Sequence, residues 1–308
     1  MHATSAVILI RPTGFGYDPG TAATNAFQRP VVQRDISERA AEEFDTLLAA
    51  LRSCGIRTTV LDPVDPAAPN AVFPNNWFST HADGTVVVYP MLTPSRRSER
   101  DPHLRSLLEA EGFCVERVVD LSAWERDGRI LEGTGSLVLD RSGHIAYACL
   151  SPRTTPEAVD LWCAHFGFRA VPFNATMDGS AAGAPIYHTN VVMALGTHWA
   201  LVCLDALPAP KERRLLQAAL EATGRTLIPF SLEQMHQYLG NALELQGGRG
   251  PCVLLSATAF AALHPEQRRT LERFAQLVPV AIPTIEAVGG GSVRCMLAEN
   301  FLPQEGIR

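Results

Sequence analysis

The chain has 308 residues, 46% of them apolar, which is ample for a sizeable core in one large domain or two. Its net charge of −6 comes from acids and bases mixed along the sequence, so no basic stripe points to nucleic acid. No apolar run approaches the roughly 18 residues that span a membrane, and the seven cysteines include no CxxC pair, which argues for a reducing compartment over a disulfide framework.

The first predicted element is a strand, AVILI (Ala6–Ile10), stopped by Arg11 and Pro12. It is too short for a signal peptide and no basic region precedes it, so a cytoplasmic enzyme is expected. The segment from Thr13 to Asn25 is rich in Gly, Thr and Asn and reads as a long loop of the kind that covers a site. Ser37 to Cys54 carries Ala40, Phe44, Leu47, Leu48 and Leu51 at helical spacing and ends at Gly55. RTTVLD follows as a strand.

Four further units repeat one order of elements. In the first of them AVFPNNWFS leads to the turn HADG, the strand TVVVYPM, a helix from Pro102 to Glu111 and the strand FCVERVVDL. The next gives SLVLD, the RSGH turn, IAYACLS, a helix from Pro156 to Phe166 and FRAVPF. Then come NVVMALG, ALVCLD, a helix from Lys211 to Thr223 and TLIPF; the last gives ALELQ, PCVLLS, a helix from Pro265 to Phe274 and LVPVAIP. Strand–turn–strand–helix–strand units argue for mixed sheets. A period near 50 residues implies a ring of repeats. The expected fold is α/β, a five-bladed α/β propeller in a single domain over residues 1–308, its remaining blade completed by the N-terminal strand or by GSVRCML.

Asn76, Glu132, His188, Asn241 and Cys295 occupy matching places in these repeats, at intervals of 53 to 56 residues. A closed ring would bring them to one hub. Cys295 follows three glycines in GGGSVRCM, which permit close approach of a ligand, and Arg294 beside it would favour a thiolate. The other six cysteines read as buried strand residues. His188 in YHTN alone would be a satisfied core histidine; at the hub it is a general acid/base. Glu132 in LEGTG sits at the mouth of an apolar strand, where a carboxylate needs a partner such as a substrate N–H. Asn75, Asn76 and Asn190 can each donate and accept, or serve only as turn residues. Asn241 in GNALEL reads as structural. Arg96 in PSRRSE and Arg153 in LSPRT are candidate carboxylate clamps, or two solvated arginines. His81, His144 and His198 fall in or near turns and read as surface residues. No metal-ligand spacing, phosphate loop or dinucleotide motif is present, so no metal or cofactor is expected.

Glu, His and Cys in this order, in segments LEGTG, YHTN and the near-terminal GGGSVRCM, resemble the guanidine-modifying superfamily of arginine deiminases, dimethylarginine dimethylaminohydrolases and amidinotransferases. The resemblance covers nearly the whole chain and implies a pentein-type propeller of ββαβ repeats. It implies Cys295 as nucleophile, His188 as general acid/base, Glu132 as the acid that binds the guanidinium, and Arg96 and Arg153 on the substrate's α-carboxylate. Two family acids are amides here: Asn75 or Asn76, and Asn190. A guanidinium favours carboxylates, whereas a neutral ureido group has a carbonyl that an amide can donate to. RPTGFG, FPNNW, LEGTGS and YHTNV are also similar to arginine-deiminase-related, citrulline-utilisation hydrolases. The expectation is a cysteine-dependent hydrolase of a ureido or guanidino C–N bond on a small amino acid, citrulline first. Arginine deiminase, methylarginine hydrolase and amidinotransferase are the alternatives, with a non-catalytic amino-acid-binding propeller as a different class. Homo-oligomerisation is left open by the sequence.

Overall fold

The computed structural model describes residues 3–31 and 35–304. Its strands are β1 (Ala6–Ile10), β2 (Arg57–Leu61), β3 (Phe78–Thr80), β4 (Thr85–Val88), β5 (Arg117–Asp120), β6 (Leu137–Asp140), β7 (Ile145–Cys149), β8 (Arg169–Phe173), β9 (Met193–Leu195), β10 (Trp199–Val202), β11 (Thr226–Pro229), β12 (Leu243–Gly247), β13 (Gly250–Ser256), β14 (Gln276–Val280) and β15 (Ala298–Glu299). They form five three-stranded sheets, ordered β3-β4-β5, β6-β7-β8, β9-β10-β11, β12-β13-β14 and β15-β1-β2. In each, the first strand runs antiparallel to the middle one, and the middle one parallel to the last. Parallel neighbours need a crossover, which the helix of each unit supplies.

One helix keeps its predicted bounds, and the other four begin or end one or two residues away. Pro156–Phe166 opens with proline in its first turn and ends at Gly167, which adopts φ 71°. That left-handed conformation costs glycine little. Ala158, Val159, Trp162 and Cys163 are its buried face, and Trp162 is fully enclosed. Truncating such a tryptophan to alanine costs about 3–5 kcal/mol. Helices tie units together: Pro210–Glu221 packs on its own β11 and on β8, and Ile36–Ser53 packs on β2 and β14. A buried bidentate ion pair adds a polar tie, with Arg225 Nη1 and Nη2 donating to Asp140 at 2.7 and 3.1 Å.

The fifth sheet combines both ends of the chain. β15 pairs with β1 at Val7–Glu299 and Ile8–Ala298. The sequence left a choice between the N-terminal strand and GSVRCML; the sheet uses the N-terminal strand with Ala298–Glu299, while Val293–Met296 is a 3₁₀ turn. Leading strands of neighbouring sheets touch: β15 meets β3, β6 meets β9, and β9 meets β12. No helix among the described residues is long and apolar enough to cross a membrane.

Candidate active site

A helical turn precedes the leading strand in four of the sheets, and site candidates lie in or next to each turn. Asn75 and Asn76 end the turn Pro74–Asn76 before β3. Glu132 precedes the turn Gly133–Ser136 before β6, and His188 precedes Thr189–Val192 before β9. Cys295 lies inside the turn Val293–Met296 before β15. The turn holding Asn76 touches the turn after Glu132 and the turn holding Cys295. Glycine makes these approaches possible. Gly133 adopts φ 48°, and a Cβ on it would sit 2.3 Å from the Asn75 carbonyl oxygen. A Cβ on Gly135 would sit 2.4 Å from Asn76 Nδ2 and 2.8 Å from His188 Nδ1.

Glu132 and His188 form a buried pair, with His188 Nε2 2.9 Å from Glu132 Oε2. Arg153 Nη1 reaches the same oxygen at 3.5 Å, and the Leu92 N–H donates to Oε1 at 3.1 Å. Burial opposes ionisation of Glu132, but the Arg153 charge and the His188 hydrogen bond outweigh it and bring the pKa down to about 2. Burial acts on His188 as well; with Arg153 and Arg96 it outweighs Glu132 and lowers the imidazole to about 4. At neutral pH the carboxylate is therefore charged and the imidazole neutral. Nε2 must then carry the hydrogen that faces Glu132, which leaves Nδ1 as a base.

Two amides hold the cysteine. Asn241 Nδ2 donates to Cys295 Sγ at 3.1 Å, and its Oδ1 accepts from the Cys295 N–H at 3.3 Å. Asn190 Nδ2 donates to the same sulfur at 3.4 Å, while Asn190 Oδ1 is buried without a partner among the described residues. Asn241, read from sequence as structural, thus grips the cysteine at both ends. Its signal was the repeat spacing, which the turn-like GNALEL masked.

Arg96 points inward but is largely engaged. Nε and Nη2 donate to the two Glu99 oxygens at 2.9 and 2.8 Å, Nη2 also reaches the Phe73 carbonyl at 3.2 Å, and Nη1 donates to Asn76 Oδ1 at 2.6 Å. The expectation that Arg96 clamps a substrate carboxylate therefore meets a competing partner, the buried Glu99. The Arg96 bond also orients the Asn76 amide: Oδ1 is taken, and Nδ2 is buried without a partner.

Asn76, Arg96, Arg153, His188 and Cys295 line one cavity with Gly289, Gly290 and Gly291. Its volume is about 20 Å³, room for roughly one water. The covering segment comes from the predicted loop, which contains a short helix, Pro19–Ala22. Arg153 Nη2 donates to the Thr21 carbonyl at 2.8 Å and to Thr24 Oγ1 at 2.7 Å, and Asn25 Nδ2 donates to the Gly290 carbonyl at 3.3 Å. Tyr187 lies under the Arg153 guanidinium at 5.0 Å, and its hydroxyl donates to the Gly290 carbonyl at 2.8 Å.

Three expectations need correction. Asn75 is fully buried, does not line the cavity and leaves both amide atoms without partners among the described residues. Arg294 pairs with Glu299 at 3.6 Å and lines a separate pocket among the leading strands, because the tight 3₁₀ turn sends neighbouring side chains different ways. His81 is half-buried rather than exposed; it stacks on Phe166 at 5.4 Å, and burial lowers its pKa to about 3. Among the described residues no cluster of three or more His, Cys, Asp or Glu is placed to hold a metal.

A family model described as N,N dimethylarginine dimethylhydrolase, eukaryotic, matches residues 11–302. No curated protein sequence matches the chain. Among solved structures, the substrate-bound N-terminal domain of ArgZ, an arginine dihydrolase from the ornithine–ammonia cycle in cyanobacteria, gives TM-score 0.74 at 16% identity over 95% of this chain and 96% of that one. The chain spans 40% of the longer ArgZ chain. A mutant of AgrE in binary complex with L-arginine gives 0.74 at 15% identity, over 95% of this chain and 39% of that one. Dimethylarginine dimethylaminohydrolase as its adduct with 4-chloro-2-hydroxymethylpyridine gives 0.65 at 16% identity, over 97% and 100%. At such identities the structural likeness concerns the fold, while the family match runs nearly end to end: the chain belongs to the N,N-dimethylarginine dimethylhydrolase family of the guanidino-modifying pentein superfamily.

Proposed function

We propose that this protein is a cysteine-dependent hydrolase of a ureido or guanidino C–N bond on a small amino acid, with citrulline as the preferred substrate. In this reading the five sheets close as the blades of a propeller in one catalytic domain, supported by the contacts between leading strands and by the pairing of β15 with β1. Seven free thiols suit a cytoplasmic setting.

The observation that carries the substrate preference is the Arg96 Nη1 bond to Asn76 Oδ1 at 2.6 Å. It leaves Asn76 presenting a donor at the cavity. A ureido oxygen accepts from such a donor; a guanidinium, which has only donors, does not. Asn190 does not line the closed cavity; in this reading its unpartnered Oδ1 becomes the acceptor for a ureido N–H as the substrate enters.

In the first step His188 Nδ1 takes the thiol proton as Cys295 sulfur attacks the ureido carbon. The S–C bond forms, the C–N bond to the ornithine nitrogen breaks, and His188 returns the proton to that nitrogen. A thiocarbamate remains on sulfur. Water, deprotonated by His188, attacks its carbon; the C–S bond breaks as His188 returns the proton to the leaving sulfur, and the released carbamic acid gives ammonia and carbon dioxide. Glu132 stabilises the imidazolium that exists between proton transfers. The Asn190 and Asn241 amides donate to the sulfur when it is charged. Arg153 is placed for the substrate carboxylate once Thr21 and Thr24 release it. Arg96 acts through Asn76.

Product analysis on citrulline, arginine, methylarginines and agmatine tests this reading. Ornithine and ammonia from citrulline, at the highest kcat/KM of the panel, are expected. Arginine turnover far above that of citrulline would overturn the preference. That second reading, hydrolysis of arginine, is favoured by the arginine dihydrolase and L-arginine complexes among the structural neighbours. Adding glycine as an acceptor separates amidino transfer from hydrolysis.

A further inference from the structure

A larger cavity lies elsewhere. The catalytic candidates precede the leading strands; this cavity is bordered by the turns that follow β3 and β6, at the opposite end of those sheets. Its volume is about 610 Å³, within the usual range of small-molecule sites. Phe166, Phe168 and Phe301 supply flat apolar walls, and Arg141 and Asn300 stand among them.

The charges there are unbalanced. Asp83 is neutralised by Arg117, whose Nη2 donates to it at 3.0 Å. His81, pushed to about 3 by burial and by the neighbouring Arg141 charge, is neutral. Arg141 lies over the Phe301 ring at 4.0 Å, which fixes its guanidinium. It makes no hydrogen bond or ion pair among the described residues, and its Nη2 is shut from solvent. Glu299 exerts a favourable field on it but lies 3.6 Å from Arg294, so one carboxylate serves two guanidiniums. Asn300 is 2% exposed and keeps Nδ2 without a partner. A guanidinium that shares its only nearby carboxylate and has one nitrogen shut from solvent, in the same cavity as an unpartnered N–H, leaves room for an anion to join them.

We propose that this cavity binds an aromatic carboxylate, its anion on Arg141 and its ring between Phe166, Phe168 and Phe301. The site is separate from Cys295, and nothing in the proposed hydrolysis depends on it.

The probe is benzoate, with benzamide as the uncharged ring of the same shape, titrated into the full chain by ligand-observed NMR. Benzoate is expected to bind about tenfold more tightly than benzamide, and Arg141→Gln to remove that difference. Ala82→Trp, which fills the mouth and keeps Arg141, should abolish binding of both. Cys295→Ala should leave benzoate affinity unchanged. Circular dichroism establishes that each variant is folded; if Arg141→Gln is not, the Ala82→Trp result decides. Equal benzoate affinity in a folded Arg141→Gln, loss of binding in Cys295→Ala, or no binding at millimolar benzoate would overturn the proposal. So would binding that occurs only once residues 305–308 are removed.

Discussion

Arg96 Nη1 donates to Asn76 Oδ1 at 2.6 Å, and this single bond fixes the Asn76 amide with its Nδ2 left unpartnered. Behind it stands the Glu99 carboxylate, 3% exposed, held to Arg96 by two hydrogen bonds. A pair this deeply buried works less as a source of stability than as a rigid fixture.

Asn76→Asp replaces the donor with an acceptor while keeping the bond from Arg96. The ratio of kcat/KM for citrulline to that for arginine should fall by about tenfold or more, the cost of one misdirected polar contact. Steady-state kinetics on both substrates give the ratio directly. An unchanged ratio would remove Asn76 from substrate selection.

Cys295→Ala should abolish turnover, read from product formation, and the mass shift of a trapped covalent adduct, read from intact mass. Asn241→Leu should leave the chain folded but slow alkylation of Cys295 by iodoacetamide by about tenfold or more, because the sulfur loses a donor at 3.1 Å. An unchanged labelling rate would make Asn241 a backbone support alone.

Gly135→Ala introduces a methyl 2.4 Å from Asn76 Nδ2 and 2.8 Å from His188 Nδ1. Overpacking of this kind costs about 1–3 kcal/mol. Chemical denaturation should show that loss together with a drop in kcat. A variant as stable and as active as the parent would mean that the two side chains yield freely.

Acid should unfold this protein through its own site. His188 is lowered from 6.5 to about 4, so as pH falls through that window the unfolded chain gains a proton that the folded one refuses. Stability therefore declines on acidification, by about 3 kcal/mol at the limit from this group. Glu132, lowered from 4.5 to about 2, adds a loss of the same sign at lower pH. Denaturation midpoints at pH 7 and about pH 4.5 should differ less in His188→Gln than in the parent. Equal differences would show that His188 does not titrate there.

Much of the architecture was readable because each unit writes it twice, in strand pattern and in helix punctuation. Pro156 and Gly167 bracket their helix as proline and glycine rules require, and Gly112 and Gly224 adopt φ 80° and 74° after theirs. The hub was readable from spacing alone. What escaped were relations between side chains remote in sequence. Nothing around Asn241 signals that it reaches a cysteine 54 residues later. PSRRSE gives equal reason to send Arg96 to solvent, to a ligand or to Glu99, and only the fold buries the two together. His81 sits beside a turn, where exposure is the ordinary outcome; two aromatic residues from another unit cover it.

The cavity beside Cys295 is a shut door rather than an empty seat. At about 20 Å³ it admits a water and excludes any amino acid, and the Thr21 carbonyl and Thr24 hydroxyl occupy the Arg153 donors. Under the proposed function, substrate binds by displacing part of the chain from its own arginine. Its apparent affinity equals the intrinsic affinity scaled by the fraction of molecules already open. Loosening the Asp18–Asn70 and Asn25–Gly290 bonds would tighten the apparent affinity without adding a single contact to the substrate.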